Sequence, residues 1–264
     1  MKGKSISFLS VLILTVVGST LLSFPPVFAN PACGATITKN TTLTANIGPC
    51  SGAGLTIGAN GITLNCAGHT ISGASGNNYI GISLSGVTQV TVEKCKVTGF
   101  FNGFYLLSSF SNKLTGNTAS KNKDAGFSLS SSSGNTLTGN TAKSNYWGFF
   151  LYGSPTNTFT GNTANSNLWG FYLLSSSGNT LTGNTANKNK NDGFYLDPSS
   201  SSNTITTNTA NTNTTYGYYD VSTSSSPGVP HWDTANSYTG DKGSGNGSDL
   251  AYGNANLDTA TSPF

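Results

Sequence analysis

Hydrophobic and polar positions alternate in short runs along the chain, and the same run returns at a nearly constant interval. Five copies succeed one another every 22 to 24 residues: NKLTGNTASKNKDAGFSL, NTLTGNTAKSNYWGFFL, NTFTGNTANSNLWGFYL, NTLTGNTANKNKNDGFYL and NTITTNTANTNTTYGYYD. They begin at Asn112, Asn135, Asn157, Asn179 and Asn203, and two degenerate copies precede them from Gly61 and Val90. Repetition at this period indicates a solenoid of about seven stacked units.

Within each copy the alternation has a period of two, which is typical of β-strands. The apolar residue of the NTLTGN phrase stands between polar neighbours, and in GFYL the Phe and Leu flank an outward Tyr. A unit this small buries its apolar face only against copies above and below it. We therefore predict an all-β fold, a single-stranded parallel β-helix of about seven turns, with neighbouring strands about 4.8 Å apart.

Asparagine recurs at two fixed positions of the repeat. One column contains Asn117, Asn140, Asn162, Asn184 and Asn208, and the other contains Asn122, Asn145, Asn167, Asn189 and Asn213. A carboxamide carries both donors and an acceptor, so each Asn can bond to the next along the stack. We predict a structural role for both columns.

The copies resemble the parallel β-helix repeats of the NosD-type carbohydrate-binding and sugar-hydrolase group, within the pectin-lyase-like superfamily. The phrase GLTIGANGITLNCAGHTISG, from Gly54 to Gly73, is similar to the first turn of such proteins. The resemblance covers about residues 33–221 and implies a right-handed β-helix, a scaffold that carries many different functions. The copper-delivery association of NosD is not expected here, because one Met and two His cannot supply the ligands. No metal or cofactor is predicted.

The first 29 residues have the features of an export signal: Lys2 and Lys4, an apolar core, and a small-x-small site that ends at Ala29. A membrane anchor is the alternative, and no later stretch is apolar enough to span a membrane. We predict a signal peptide (1–29), an N-terminal cap (30–60), the β-helix repeats (61–221) and a C-terminal cap with an irregular tail (222–264). The product would be secreted, periplasmic or on the cell surface.

The even number of cysteines fits an exported chain with disulfides. The four residues are Cys33, Cys50, Cys66 and Cys95, and no CxxC pair is present to indicate zinc. Three pairings are possible, of which we favour Cys33 with Cys50 and Cys66 with Cys95.

Charge excludes some partners. Charged residues make up 8% of the chain, the net charge is +3, and Arg is absent, so a nucleic-acid surface is not expected. Five lysines are expected in one loop column: Lys121, Lys123, Lys143, Lys188 and Lys190. Solubility explains such an edge, and contact with an acidic polysaccharide is the alternative.

The strongest candidate site is aromatic. The outward position of GFYL reads Tyr105, Ser128, Phe150, Tyr172, Tyr195 and Tyr219, while Trp147 and Trp169 stand one residue before the repeated Gly. A ladder of exposed rings offers flat apolar faces to sugar rings. Cross-strand stacking that only stabilises the sheet is the alternative. We predict binding of a polysaccharide or glycan surface; the sequence leaves the oligomeric state open.

An enzyme remains an alternative, as a polysaccharide lyase or hydrolase. A glycosidase needs two carboxylates about 5 to 9.5 Å apart. Asp197 and Asp220 lie on adjacent turns, but Asp220 aligns with the inward Leu196. Asp124 and Asp192 occupy similar positions beside the repeated Gly, yet three turns, about 14 Å, separate them. No catalytic residue is predicted beyond the weak pair Asp197 and Asp220.

Threonine supplies a further alternative. Four T-x-T rows start at Thr136, Thr158, Thr180 and Thr204, and resemble the ice-binding faces of β-helical antifreeze proteins. Threonine is also simply a good residue for the solvent side of a strand. A purely structural surface protein is the remaining reading.

Overall fold

The computed structural model describes residues 30–74, 78–222 and 236–247. The predicted signal peptide and the tail beyond residue 247 lie outside the described residues, as does the segment 223–235 with His231. Every regular element in the described part is a β-strand. None of these residues forms a helix that is long and apolar enough to cross a membrane.

The strands are short and follow one another in groups of three, one group for each turn of the coil. The first three turns contain β1 (Ala35–Ile37), β2 (Thr41–Thr42), β3 (Ile47–Cys50), β4 (Leu55–Ile57), β5 (Thr63–Asn65), β6 (Thr70–Gly73), β7 (Ile82–Ser85), β8 (Thr91–Glu93) and β9 (Lys96–Thr98). The next three contain β10 (Phe104–Leu107), β11 (Lys113–Thr115), β12 (Thr118–Ser120), β13 (Ala125–Ser130), β14 (Thr136–Thr138), β15 (Thr141–Lys143), β16 (Trp147–Tyr152), β17 (Thr158–Thr160) and β18 (Thr163–Asn165). The last contain β19 (Trp169–Leu174), β20 (Thr180–Thr182), β21 (Thr185–Asn187), β22 (Phe194–Leu196), β23 (Thr204–Thr206), β24 (Thr209–Asn211), β25 (Tyr218–Asp220), β26 (Ser237–Thr239) and β27 (Lys242–Ser244).

These strands form three parallel sheets that run the length of the coil. The first sheet joins β1, β4, β7 and every third strand to β25; the second runs from β2 to β26; the third runs from β3 to β27. Leu114 pairs with Val92 on one side and Leu137 on the other, so equivalent repeat positions stack directly. The predicted parallel β-helix is confirmed, and it is slightly longer than the seven copies. Strands of the same sheets already begin at Ala35, within the predicted cap.

The interior is filled by columns of identical apolar side chains. Phe104, Phe127, Phe149, Phe171 and Phe194 form one stack, with ring centroids 4.6 to 4.8 Å apart and nearly parallel planes. Such close offset rings add stability beyond that of their buried area. The stack ends at Tyr218, whose ring centroid is 4.9 Å from that of Phe194.

Buried asparagines satisfy the corners between the sheets. Asn140 donates from both its backbone N and Nδ2 to Oδ1 of Asn162, at 2.9 and 3.0 Å, and Nδ2 also donates to the Leu114 carbonyl at 2.8 Å. Both predicted columns bond in this way and are confirmed as ladders. A third ladder, which the sequence analysis did not identify, starts each repeat; its members are Asn112, Asn135, Asn157, Asn179 and Asn203.

The two favoured disulfides are both present. Cys33 bonds to Cys50 and Cys66 bonds to Cys95, with Cα atoms 5.5 and 4.7 Å apart. No described cysteine is free. The first bond joins the start of the coil to the end of its first turn, and the second joins adjacent turns.

We expect Asn162→Ala to lower the free energy of unfolding by about 3 kcal/mol. The substitution removes the acceptor of two buried donors on Asn140 and leaves the Leu137 carbonyl without its Nδ2 donor. Chemical denaturation followed by circular dichroism measures the change. Thr160→Ser, on the exposed side of the same turn, is the control and should change stability by no more than about 0.5 kcal/mol. Equal stability of the two variants would show that the ladder is not a major stabilising feature.

Candidate functional site

The predicted ladder lies on the outer side of the first sheet. Strand pairing places Tyr105, Ser128, Phe150, Tyr172, Tyr195 and Tyr219 in one continuous register. The aromatic members are partly exposed, whereas Ser128 is buried and separates Tyr105 from the rest. The uninterrupted part of the ladder therefore begins at Phe150.

The tyrosines of this column stack on one another. The ring centroids of Tyr172 and Tyr195 are 4.3 Å apart with planes 11° from parallel, and those of Tyr195 and Tyr219 are 5.4 Å apart. Burial is the largest cause that raises the pKa of Tyr195, to about 12, and it also raises the pKa of Tyr172. Both phenols therefore stay neutral at physiological pH and can donate a hydrogen bond.

The two tryptophans pair in register beside the tyrosine column. The ring of Trp147 stacks on that of Phe150, with centroids 4.5 Å apart. Trp169 stands edge-on to Tyr172 and Tyr195, at 5.3 and 5.4 Å. Both indoles are partly exposed, and these ring contacts cover part of each of them.

Two further tyrosines, which the sequence analysis did not select, extend this surface. Tyr146 is 44% exposed and stands edge-on to Trp147, with centroids 4.6 Å apart. Tyr216 stacks on Tyr219 at 4.9 Å. The aromatic face thus consists of Tyr146, Trp147, Phe150, Trp169, Tyr172, Tyr195, Tyr216 and Tyr219. Aligning the residues just before the repeated Gly would have been the signal for both tyrosines.

The indole N–H groups differ between the two tryptophans. In the amide orientation that satisfies both of its polar ends, Asn191 accepts a hydrogen bond from Trp169 Nε1 at 3.2 Å. Trp147 Nε1 is buried and has no partner in the described part of the chain. Leu168 takes the place of Asn191 one turn earlier, and it offers no side-chain acceptor.

Asp192 lies in the same column as the tryptophans. Its carbonyl accepts from the backbone N of Gly170, the residue after Trp169, and its Oδ1 accepts from the Tyr216 N at 3.1 Å. The residue is 3% exposed. Burial raises the pKa of Asp192 to about 6, and the hydrogen bond from Tyr216 opposes that change.

Asp124 lies in the neighbouring column, so the apparent equivalence of its position to that of Asp192 is wrong. Its backbone N donates to the Phe101 carbonyl, and its own carbonyl accepts from the N atoms of Tyr146 and Trp147. Burial raises the pKa of this carboxyl as well. The offset is already visible in the sequence, because Asp124 stands two residues before Gly126 whereas Asp192 stands directly before Gly193.

The weak catalytic pair is held by internal hydrogen bonds. Asp197 Oδ1 accepts from Ser175 N at 2.9 Å and from Ser200 Oγ at 2.6 Å. Asp220 pairs with Leu196 in register, as the sequence predicts, and is buried.

The Asp220 carboxylate is bonded at both oxygens. Its Oδ1 accepts from the N and Oγ of Ser222, and its Oδ2 accepts from Asn236 Nδ2 and Tyr238 Oη. These contacts tie strand β26 to the end of the first sheet. A structural role therefore accounts for the side chain.

The five lysines do not share one column. Lys143 is a strand residue paired with Ser120, whereas Lys121 and Lys188 occupy corners with positive φ. Lys123 and Lys190 follow the ladder asparagines in the loops that lead into the first sheet. Of the five lysines, only Lys123 and Lys190 share a loop with an aspartate: Lys123 with Asp124, and Lys190 with Asp192.

Comparison with known proteins supports the fold. The profile of a family described as Periplasmic copper-binding protein (NosD) matches residues 27–184, more than half of the chain, and that of a family described as Right handed beta helix region matches residues 148–231. No curated protein sequence matches the chain.

Solved structures with a similar fold are distant in sequence. A mutant of the periplasmic alginate epimerase AlgG is 15% identical with a TM-score of 0.54, covering 75% of this chain and 50% of its own. An alginate lyase from Paenibacillus sp. str. FPU-7 is 13% identical with a TM-score of 0.52, covering 85% of this chain and 91% of its own. The pectate lyase Pel9A is 16% identical with a TM-score of 0.51, covering 89% and 74%. The chain thus spans half the length of the epimerase, and these likenesses show the fold.

We expect Asp192→Asn to stabilise the protein at neutral pH but not at acid pH. The pKa of Asp192 in the folded protein is about 6, above the ordinary value of 3.8. The stability that the protonated side chain contributes is therefore fully present below pH 3.8 and is lost as the pH rises through about 6. Asn keeps the acceptor for the Tyr216 N without the buried charge. Thermal unfolding of both proteins at about pH 4 and about pH 7.5 measures the difference. A difference that does not grow with pH would contradict the assignment.

Proposed function

The chain belongs to the NosD family, and on that premise we propose that it is an exported protein that binds a polysaccharide through the aromatic face. Family membership accounts for the β-helix, whereas the proposed function is inferred from the residues of the site.

The observation that carries the proposal is the continuity of the aromatic face. Eight rings from consecutive turns contact one another on the outer side of one sheet. Rings of this kind present apolar surface to the C–H side of a sugar, while the phenol groups can bond to its hydroxyls. Regular spacing along the coil suits a chain-like ligand better than a small one.

The structural neighbours support a carbohydrate ligand. Their names refer to alginate and to pectate, which are both polysaccharides. The common β-helix offers such polymers a long, straight surface. For this chain the same geometry places the aromatic face along the coil axis.

Binding accounts for the site better than bond cleavage does. The carboxylates of Asp197 and Asp220 are held by protein donors, so neither has the freedom of a proton donor or a nucleophile facing a substrate. Lyases of the superfamily usually combine an acidic calcium-binding cluster with Arg or Lys as the base; Arg is absent from the sequence, and the described residues hold no such acidic cluster. A catalytic role for the weak pair is therefore not part of the proposal.

Copper binding does not fit the residues of this chain. All four cysteines form disulfides, and the described residues hold no group of three His, Cys, Asp or Glu side chains that could bind a metal ion. Copper sites use thiolate, thioether or imidazole ligands, and His69 is the one imidazole in the described part.

The proposed location is outside the cytoplasm, in the periplasm, on the cell surface or in the medium. The signal-like residues 1–29 and the two disulfides support it, because disulfides persist in oxidising compartments. The family description, which includes the word periplasmic, agrees.

A pull-down on insoluble and immobilised polysaccharides tests the proposal. We expect retention on at least one polymer, and a loss of affinity of about tenfold or more for Trp147→Ala combined with Trp169→Ala, because central aromatic residues dominate such contacts. Phe110→Ala is the matched control, since Phe110 is exposed but lies outside the aromatic face. Release of oligosaccharides would show an enzyme instead. No retention on any polymer would leave the rings with a structural role.

Ice binding is a second candidate, favoured by the exact pairing of the four T-x-T rows. Thr136, Thr158, Thr180 and Thr204 are in register on the outer side of the second sheet, and so are the second threonines of each row. If ice binds there, the protein shows thermal hysteresis that Thr160→Lys removes and Thr163→Lys, on the third sheet, leaves intact. A solution that freezes like a control protein contradicts this function.

A further inference from the structure

Two carboxylates border the tryptophans of the aromatic face. Asp192 follows Trp169 in the same column, and Asp124 is bonded through its carbonyl to the turn that carries Trp147. The two aspartates are three turns apart, about 14 Å at the usual spacing of parallel strands. The tryptophan pair lies on the two turns between them.

Both carboxylates have oxygen atoms that accept no hydrogen bond from the described residues. The hydrogen bond from Tyr216 N occupies Oδ1 of Asp192, and its Oδ2 has no partner among the described residues. The side chain of Asp124 has none in that part of the chain, and no ion pair joins either aspartate to a described lysine. Burying a carboxylate without enough hydrogen-bond partners is costly; Asp192 is almost fully buried and Asp124 partly so, and their remaining oxygens are suited to accept hydrogen bonds from a ligand.

We propose that the aromatic face takes a neutral glycan, with sugar rings on Trp147 and Trp169 and sugar hydroxyls donating to Asp124 and Asp192. This inference rests on the proposed function and specifies its substrate class. Hydrogen bonds from hydroxyls to a carboxylate are stronger than those to neutral acceptors. The aspartates would thus select hydroxyl-rich positions of the polymer.

An acidic polymer fits the same surface poorly. A uronate would bring its charge next to two carboxylates with little water between them, which is unfavourable. Of the two loop lysines, Lys123 already donates to Asn78 Oδ1 at 2.8 Å. No arginine is present to clamp a carboxylate in the bidentate way. We therefore expect the aromatic face to prefer neutral glycans, unlike the acidic polymers for which the alginate and pectate enzymes are named.

The interaction should depend on pH. The titratable and charged groups around Asp192 are Tyr172, Tyr195, Asp197, the ring of Tyr216 and, in its own loop, Lys190. Burial raises the pKa of Tyr172 and of Tyr195, so both phenols stay neutral, and the pH dependence is assigned to Asp192. Above a pH of about 6 the charged carboxylate can accept a sugar hydroxyl at Oδ2; below it, the added proton occupies one of the acceptor positions. A neutral glycan then binds more tightly at neutral than at acid pH, and a uronate shows the reverse.

The test compares polymers that differ only in charge. The probes are alginate and polygalacturonate, each beside its carboxyl-reduced neutral form, together with a glucan, a xylan and a mannan. Affinity electrophoresis at about pH 7.5 and about pH 5 measures retention of the purified protein. We expect the neutral polymers to be preferred, with stronger binding at the higher pH.

Variants then assign the preference to residues. Asp192→Asn and Asp124→Asn should each weaken binding of the neutral polymer about tenfold at the higher pH, and Asp192→Asn should remove most of the pH dependence. Glu93→Gln, on the second sheet, is the control and should change neither. Since Asp192→Asn is expected to be the more stable protein at that pH, loss of binding would not come from unfolding.

Each outcome separates this inference from the proposed function. Preference for the acidic member of a pair, or tighter binding by Asp192→Asn, overturns the neutral-glycan assignment while the aromatic face remains a binding site. Absence of binding to every polymer, with the tryptophan variant indistinguishable from the native protein, overturns the proposed function and this inference with it.

Discussion

The stacking of identical residues from turn to turn is the constraint on which the rest of the structure depends. Asn162 accepts two hydrogen bonds from Asn140 in the turn before it and donates two to Asn184 in the turn after it, and the other ladder asparagines bond between turns in the same direction, so a shift of one residue would break three ladders together. The ladders hold the corners, and the corners hold the sheets in register. That register places phenylalanine on phenylalanine inside the coil and aromatic rings beside one another outside it.

The same regularity explains how the surface acquires a continuous aromatic face. A repeat leaves the outward positions free to vary, since the inward Phe, Leu and Asn already supply the stability. Where consecutive copies carry Tyr or Trp at an outward position, a continuous face results, and where Ser128 intervenes, the face ends. Departures from the repeat therefore define the limits of the aromatic face, and Asp192 in the tryptophan column is such a departure. The ends of the coil are adapted similarly: Asp241 ends the middle ladder by accepting from the N and Nδ2 of Asn208.

The balance between binding and catalysis follows from how the carboxylates are held. Asp197 and Asp220 accept hydrogen bonds from the serines, Asn236 and Tyr238 around them, and they connect segments of the chain. Asp124 and Asp192 stand beside rings, with acceptor capacity left over. All four residues are aspartates. The two pairs differ in how many hydrogen-bond donors the surrounding turn places near each carboxylate. A scaffold shared with lyases and an epimerase is thus compatible with recognition alone.

The sequence by itself determined the strands, the parallel coil, the two asparagine columns and the outward positions of the tyrosines; it left three disulfide pairings possible, and the structure decided between them. Period, alternation and hydrogen-bonding capacity are local properties that the letters display directly. The tertiary structure decided the third asparagine ladder, the addition of Tyr146 and Tyr216 to the aromatic face, and the hydrogen-bond partners of Asp124 and Asp192. The loops before the repeated Gly contain two residues in some turns and three in others, so alignment of letters is ambiguous there. Only the backbone hydrogen bonds between turns establish which residue lies beside which.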